Sequence, residues 1–160
     1  MRLVFASLCV LALAACSKPQ DAAPQAQAAK PASFGYDIAL SITPAAAAKM
    51  AKTGDNITVF ALYYGNATPA SASLADPSDG TIHLNTDKVE VEAKDQTVHM
   101  TGEGVNTPNF DKITEKKPLV LINLFATKAG KKNLAIACNG FQDYVSSAQA
   151  RPVAIRCDLA

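Results

Sequence analysis

Tryptophan is absent from this chain, histidine occurs only twice, and just 6% of the residues are aromatic. So few imidazoles leave little for zinc, which takes several nitrogen or sulfur ligands, or for general-base catalysis. Neither sign of charge prevails: 15 Lys and Arg face 14 Asp and Glu, and loss of a leader containing Arg2 brings the two to equality. A nucleic-acid binder carries a basic footprint, so that class is set aside. Glycine and proline number 8 and 9 in 160 residues, too few for a collagenous or low-complexity chain. No apolar run reaches the roughly 20 residues that cross a bilayer. The G-x-S-x-G, H-E-x-x-H, Walker and dinucleotide fingerprints are all missing, so no enzyme class and no cofactor is indicated. With 49% hydrophobic and 18% charged residues, the composition fits one ordinary globular domain with extensions.

What is present begins at the amino terminus. Arg2 precedes "LVFASLCVLALAA", an apolar run of about 13 residues with the length of a signal-peptide core. Two cleavage readings fit. Ala12 and Ala14 form A-x-A, a site for ordinary secretion that would leave Cys16 a plain thiol. The stretch "LAAC", Leu13, Ala14, Ala15 and Cys16, resembles instead the lipobox of bacterial lipoproteins, whose cysteine sulfur is joined to diacylglycerol and becomes the first mature residue. Small residues ahead of the cysteine admit the scissile bond to a narrow active site.

Cysteine counting favours the lipobox. Cys9 leaves with the signal, and acylation of Cys16 leaves Cys138 and Cys157 as an even pair, expected as a structural disulfide. A free Cys16 would be an odd thiol in an oxidising compartment. The resemblance implies a bilayer as partner through acylated Cys16, each buried methylene contributing about 0.8 kcal/mol. Ser17 after the cysteine, rather than Asp, implies sorting to the outer membrane with the domain in the periplasm.

Three regions follow: a signal peptide over 1–15, the lipidated cysteine and a linker over 16–33, and a folded domain over 34–160. The linker "SKPQDAAPQAQAAKPAS" has no Leu, Ile, Val or aromatic residue and therefore nothing to bury. As a flexible tether its 17 residues reach about 20 to 25 Å.

Within the domain, "YDIALSI" alternates strictly, Ile38, Leu40 and Ile42 sharing a face, and reads as a strand. Thr43 as N-cap, Pro44 at the first position and Gly54 as stop frame a helix with a stripe of Ala47, Met50 and Ala51. Strands are expected at 57–64, 81–84, 88–93, 97–100 and 119–127. In "NLAIAC" Leu134, Ile136 and Cys138 share a phase, as do Val153, Ile155, Cys157 and Leu159 in "VAIRCDL". Phe141, Tyr144, Val145 and Ala148 have helical spacing and predict a short helix between the cysteines. The pattern predicts a mainly β fold, an antiparallel β-sandwich of immunoglobulin-like or transthyretin-like outline with one or two short helices.

Candidate sites are few. His99 is expected outward beside core-facing Val98 and Met100, and with His83 it is too little for a metal site. "ADPSDG", with Asp76 and Asp79, lacks the spacing of a calcium loop and reads as β-turn chemistry.

Two strands are apolar on both faces. In "ITVFALYY", Ile57, Val59, Ala61 and Tyr63 lie on one face and Thr58, Phe60, Leu62 and Tyr64 on the other; "LVLINLFAT" carries Val120, Ile122 and Leu124 on a second face. A two-layer sandwich uses one such face per strand, so the other is covered either by the short helices or by a partner. Tyr63 and Tyr64 must point opposite ways, so one of them, with Phe60, is the interface candidate. The expected function is a membrane-anchored, non-catalytic binding or assembly module with an envelope protein as partner. The alternative is an inhibitor or immunity lipoprotein that presents the loop "GNATPASASLADPSDG" to a cell-wall hydrolase.

Overall fold

A computed structural model describes residues 33–160. The signal peptide, Cys16 with its lipobox, and the linker up to residue 32 lie outside the described residues.

The first strand, β1 (Tyr36–Ile42), alternates buried and exposed as its sequence does, and Ile38 is sealed from solvent. The helix α1 (Pro44–Thr53) starts on Pro44 and ends at Gly54, whose left-handed backbone (φ 70°) is open to glycine at little cost. Thr43 precedes it in extended geometry, but its side chain makes no capping hydrogen bond. The buried stripe is Ala46 and Met50, and Ala51 is exposed, which corrects the expected Ala47, Met50, Ala51 face. A run of alanines specifies helix but not helical phase; the contact with the last strand of the domain chooses it.

β2 (Asn56–Asn66) and β3 (Thr81–Val91) form a long antiparallel pair. The two short strands expected at 81–84 and 88–93 are one. A β-bulge makes this possible: Tyr63 pairs with Asn85 and Tyr64 with His83, so Leu84 is the extra residue and the ladder continues through the polar stretch. Then follow β4 (Gln96–Met100), β5 (Leu119–Lys128), β6 (Lys131–Asn133), β7 (Ile136–Cys138), β8 (Phe141–Tyr144), α2 (Val145–Ala150) and β9 (Val153–Leu159).

The strands form two sheets. One has the order β4-β1-β9-β7; the other is β3-β2-β5, with β6 and β8 sharing the far side of β5 at its two ends. The fold is thus the predicted two-sheet, mainly β architecture. Pairing is antiparallel except at the seam of β1 and β9, which run parallel at the middle of the four-stranded sheet.

Two expectations near the carboxyl end are overturned. Phe141–Tyr144 is a strand, because its backbone finds partners along Leu119–Ile122, and the helix begins only at Val145. Val145 and Ala148 keep the inward face that their spacing predicted. Leu134 is 81% exposed and not in the core phase, since the chain bends there to pass from one sheet to the other. Cys138 lies directly opposite Cys157 in the β7–β9 ladder, and the two are joined, S–S 2.00 Å. Cys157 is wholly buried and Cys138 partly so.

Between the sheets sits one continuous core, into which Ile38, Val59, Tyr63, Ile122 and Ile155 point.

Candidate functional site

The five-stranded sheet has an inner face toward the core and an outer face turned away from it. Val59, Ala61 and Tyr63 of β2 and Val120, Ile122 and Leu124 of β5 are inner and buried. By alternation, Thr58, Phe60, Leu62 and Tyr64 of β2 and Leu119, Leu121 and Phe125 of β5 are outer. Strand register aligns these residues in rows: Tyr64 with Leu119 and Tyr144, Leu62 with Leu121 and Gln142, Phe60 with Lys88 and Asn123, Thr58 with Glu90 and Phe125.

Neither tyrosine is the exposed anchor expected of one of them. Tyr63 is 0% exposed inside the sandwich, and Tyr64, although on the outer face, is only 7% exposed. Leu119 lies beside it in the row, with Tyr144 next beyond, and the Gln142 amide donates a hydrogen bond to its hydroxyl. Orientation was legible from parity, but cover from the neighbouring strand was not. Phe60 is only partly exposed on the outer face, as are Leu62, Leu119, Leu121, Phe125 and Tyr144.

The helices do not provide that cover. α1 packs chiefly on β9, and α2 on β1 and β8, so of the two alternatives for the second face, cover by the short helices is the one these contacts do not favour. Lysines lie there instead: the Lys88 ammonium sits 5.6 Å from the Phe60 ring centre, that of Lys132 4.9 Å from Phe125, and that of Lys117 5.9 Å from Tyr144. Each cation over a ring face contributes about 0.5 to 1 kcal/mol where water has access, and the lysine stems cover apolar surface. Lys117 also contacts Glu115 at 3.2 Å, whereas Lys88 and Lys132 form no ion pair among the described residues.

A second surface adjoins the first. Near the amino end of the domain, Phe34 and Phe110 meet edge to face at 5.5 Å beneath a slot of about 280 Å³ that Val145, Lys116 and Lys117 help to line. Glu115 and Lys116 both hold left-handed backbone there (φ 58° and 54°), a conformation that costs non-glycine residues about 1 to 2 kcal/mol each. Lys117 belongs to slot and sheet face alike. The slot escaped the reading of the sequence; the adjacent Lys116 and Lys117 were its only visible sign.

The remaining polar candidates serve their own loops. Asp76 accepts hydrogen bonds from the Ser78 hydroxyl and N–H, and Asp79 from the Thr81 N–H and hydroxyl. These bonds hold both carboxyls below the usual aspartate range. His83 bonds to Asp79 at 3.2 Å and His99 to Asp37 at 2.8 Å, so the histidines are on different sheets and are not brought together. Among the described residues no cluster of three metal-ligating side chains occurs. The 65–80 loop contains a short 3-10 helix pinned by the buried Ser71 hydroxyl, which donates to the Lys112 carbonyl oxygen; Leu74 is 58% exposed beside an open groove of about 420 Å³.

In the core, the Tyr36 and Tyr63 rings lie 6.3 Å apart, and neither hydroxyl has a hydrogen-bond partner among the described residues. Burial raises both phenols far above the ordinary tyrosine range, and the Asp87 carboxylate pushes the same way.

No family profile matches this chain, and neither does any curated protein or solved structure.

Proposed function

We propose that this chain is a lipid-anchored envelope protein whose β-domain is a non-catalytic binding module, with the outer face of the five-stranded sheet as its working surface. One observation carries the reading: a run of partly exposed apolar side chains crosses three strands with neither helix of the described residues packed chiefly on it, and three lysines stand across its aromatic rings. Contiguous apolar surface of this kind, edged by polar groups, is how soluble domains mark an interaction site. The "LAAC" lipobox, Ser17 and the featureless linker support an outer-membrane anchor with the domain held in the periplasm.

The anchor is tested by fractionating cells that make the full chain. The wild type is expected in the membrane fraction and labelled by a palmitate analogue, and Cys16→Ser is expected soluble and unlabelled. A wild type that remains soluble after export would overturn the anchor. The working surface is tested by a photo-reactive residue at Leu121, expected to give a defined covalent adduct in cells, against the same residue at exposed Ala154 on the other sheet, expected to give none.

A second reading, an inhibitor or immunity lipoprotein, is favoured by exposed Leu74 on the 65–80 loop. On that reading the chain blocks bacterial cell-wall lysis in a turbidity assay, and Leu74→Asp abolishes the block.

A further inference from the structure

We infer that the occupant of the outer sheet face is a protein surface with an apolar centre and a carboxylate rim; this rests on the reading of that face as the working surface. The face holds the cations Lys88, Lys132 and, at its edge, Lys117 against two carboxylates, both engaged: Glu115 pairs with Lys117 at 3.2 Å, and Glu90 accepts a hydrogen bond from the Asn56 amide at 2.7 Å. Lys88 and Lys132 balance no charge within the domain. A partner that buries the face has to leave these ammonium groups in water or meet them, because an unpaired charge shut away from solvent is costly. Four rows of side chains across about four strands measure roughly 15 by 20 Å. That is the size of an interface centre, and the lysines occupy the position of its rim.

Other occupants fit less well. The chain's own linker has no large apolar residue and only one acid, Asp21, so it complements neither feature of the face. A second copy, face to face, doubles the lysines while adding only another Glu90 and another Glu115, each already engaged. A bilayer takes up side chains that project, but here the rings are partly sunk between neighbours with lysines laid across them, and the well-exposed Leu74 and Leu134 are on loops.

The test places the photo-reactive residue at Leu121 of the full lipidated chain, in the cells that carry it, and compares three backgrounds: unchanged, Lys88→Glu with Lys132→Glu, and Lys88→Arg with Lys132→Arg. The expected result is an adduct to one protein, at a segment rich in Asp and Glu. Its yield should fall about tenfold on charge reversal and stay within about twofold for the arginine pair. Thermal melting checks that the reversed variant folds. Should it not, raising salt over washed membranes carrying the unchanged chain is to give the same loss. An adduct indifferent to both reversal and salt, or an adduct to phospholipid or to a second copy, overturns the acidic partner and leaves the sheet face as a binding surface. No adduct from Leu121 at all overturns the surface itself, and this inference with it.

Discussion

At the scale of single residues, the two core tyrosines each carry a cost. A buried hydroxyl without a partner forfeits about 1 to 3 kcal/mol of hydration, and Tyr36 and Tyr63 each bury one. Tyr63→Phe is therefore expected to leave stability unchanged or raise it by about 1 kcal/mol in urea unfolding, against a loss of about 2 to 5 kcal/mol for Ile122→Ala in the same core. Because both phenols are raised in the folded state, their protons are held there and released on unfolding. Their share of stability is complete below the ordinary tyrosine value of 10.0 and is lost as pH rises beyond it. Absorbance at 295 nm should show these two still protonated at pH 11, until the domain opens. Asp76 and Asp79 act with the opposite sign. Depressed in the folded state, they support it above the ordinary value of 3.8 and cease to as pH falls through their lowered values. The double variant Asp76→Asn, Asp79→Asn should show a shallower loss of stability between pH 4 and pH 2.

At the scale of elements, the β7–β9 disulfide closes a stretch of 19 residues and contributes roughly 3 kcal/mol in the chain-entropy account. Cys138→Ala with Cys157→Ala should lower the urea midpoint accordingly while keeping the circular dichroism of the sheets. Legibility also divides at this scale. Strict alternation made β1, β4 and β9 readable, because period two records burial on one face directly. The continuity of β3 was not readable: Asn85, Thr86 and Asp87 favour a turn locally, and only the bulge against β2 keeps them paired. Phe141–Tyr144 failed for a related reason. Four residues suit helix and strand equally, and the free edge of β5 decides. The candidate face was half legible. Parity placed Phe60 and Leu62 outward, but that Tyr64 is shut in beneath Gln142, and that lysines from β3, β6 and the segment before β5 gather over the rings, depends on partners far along the chain.

At the scale of the whole domain, the seam of β1 and β9 has a consequence for how the protein comes into being. Ile38 aligns with Val153, about 115 positions further on, and the pair occupies the middle of its sheet rather than a margin. Contacts so remote in the polypeptide make folding slow, since a large loop must close before they repay it. Removal of residues 153–160 should abolish the cooperative melt rather than fray one side, as seen by calorimetry, because β1 and β7 each lose their shared neighbour and Cys138 its partner. During synthesis the emerging polypeptide stays gaping until residues 153–159 arrive to zip the gap. A product that stops short of that last ribbon of backbone thus presents bare strand edges to any protease it meets.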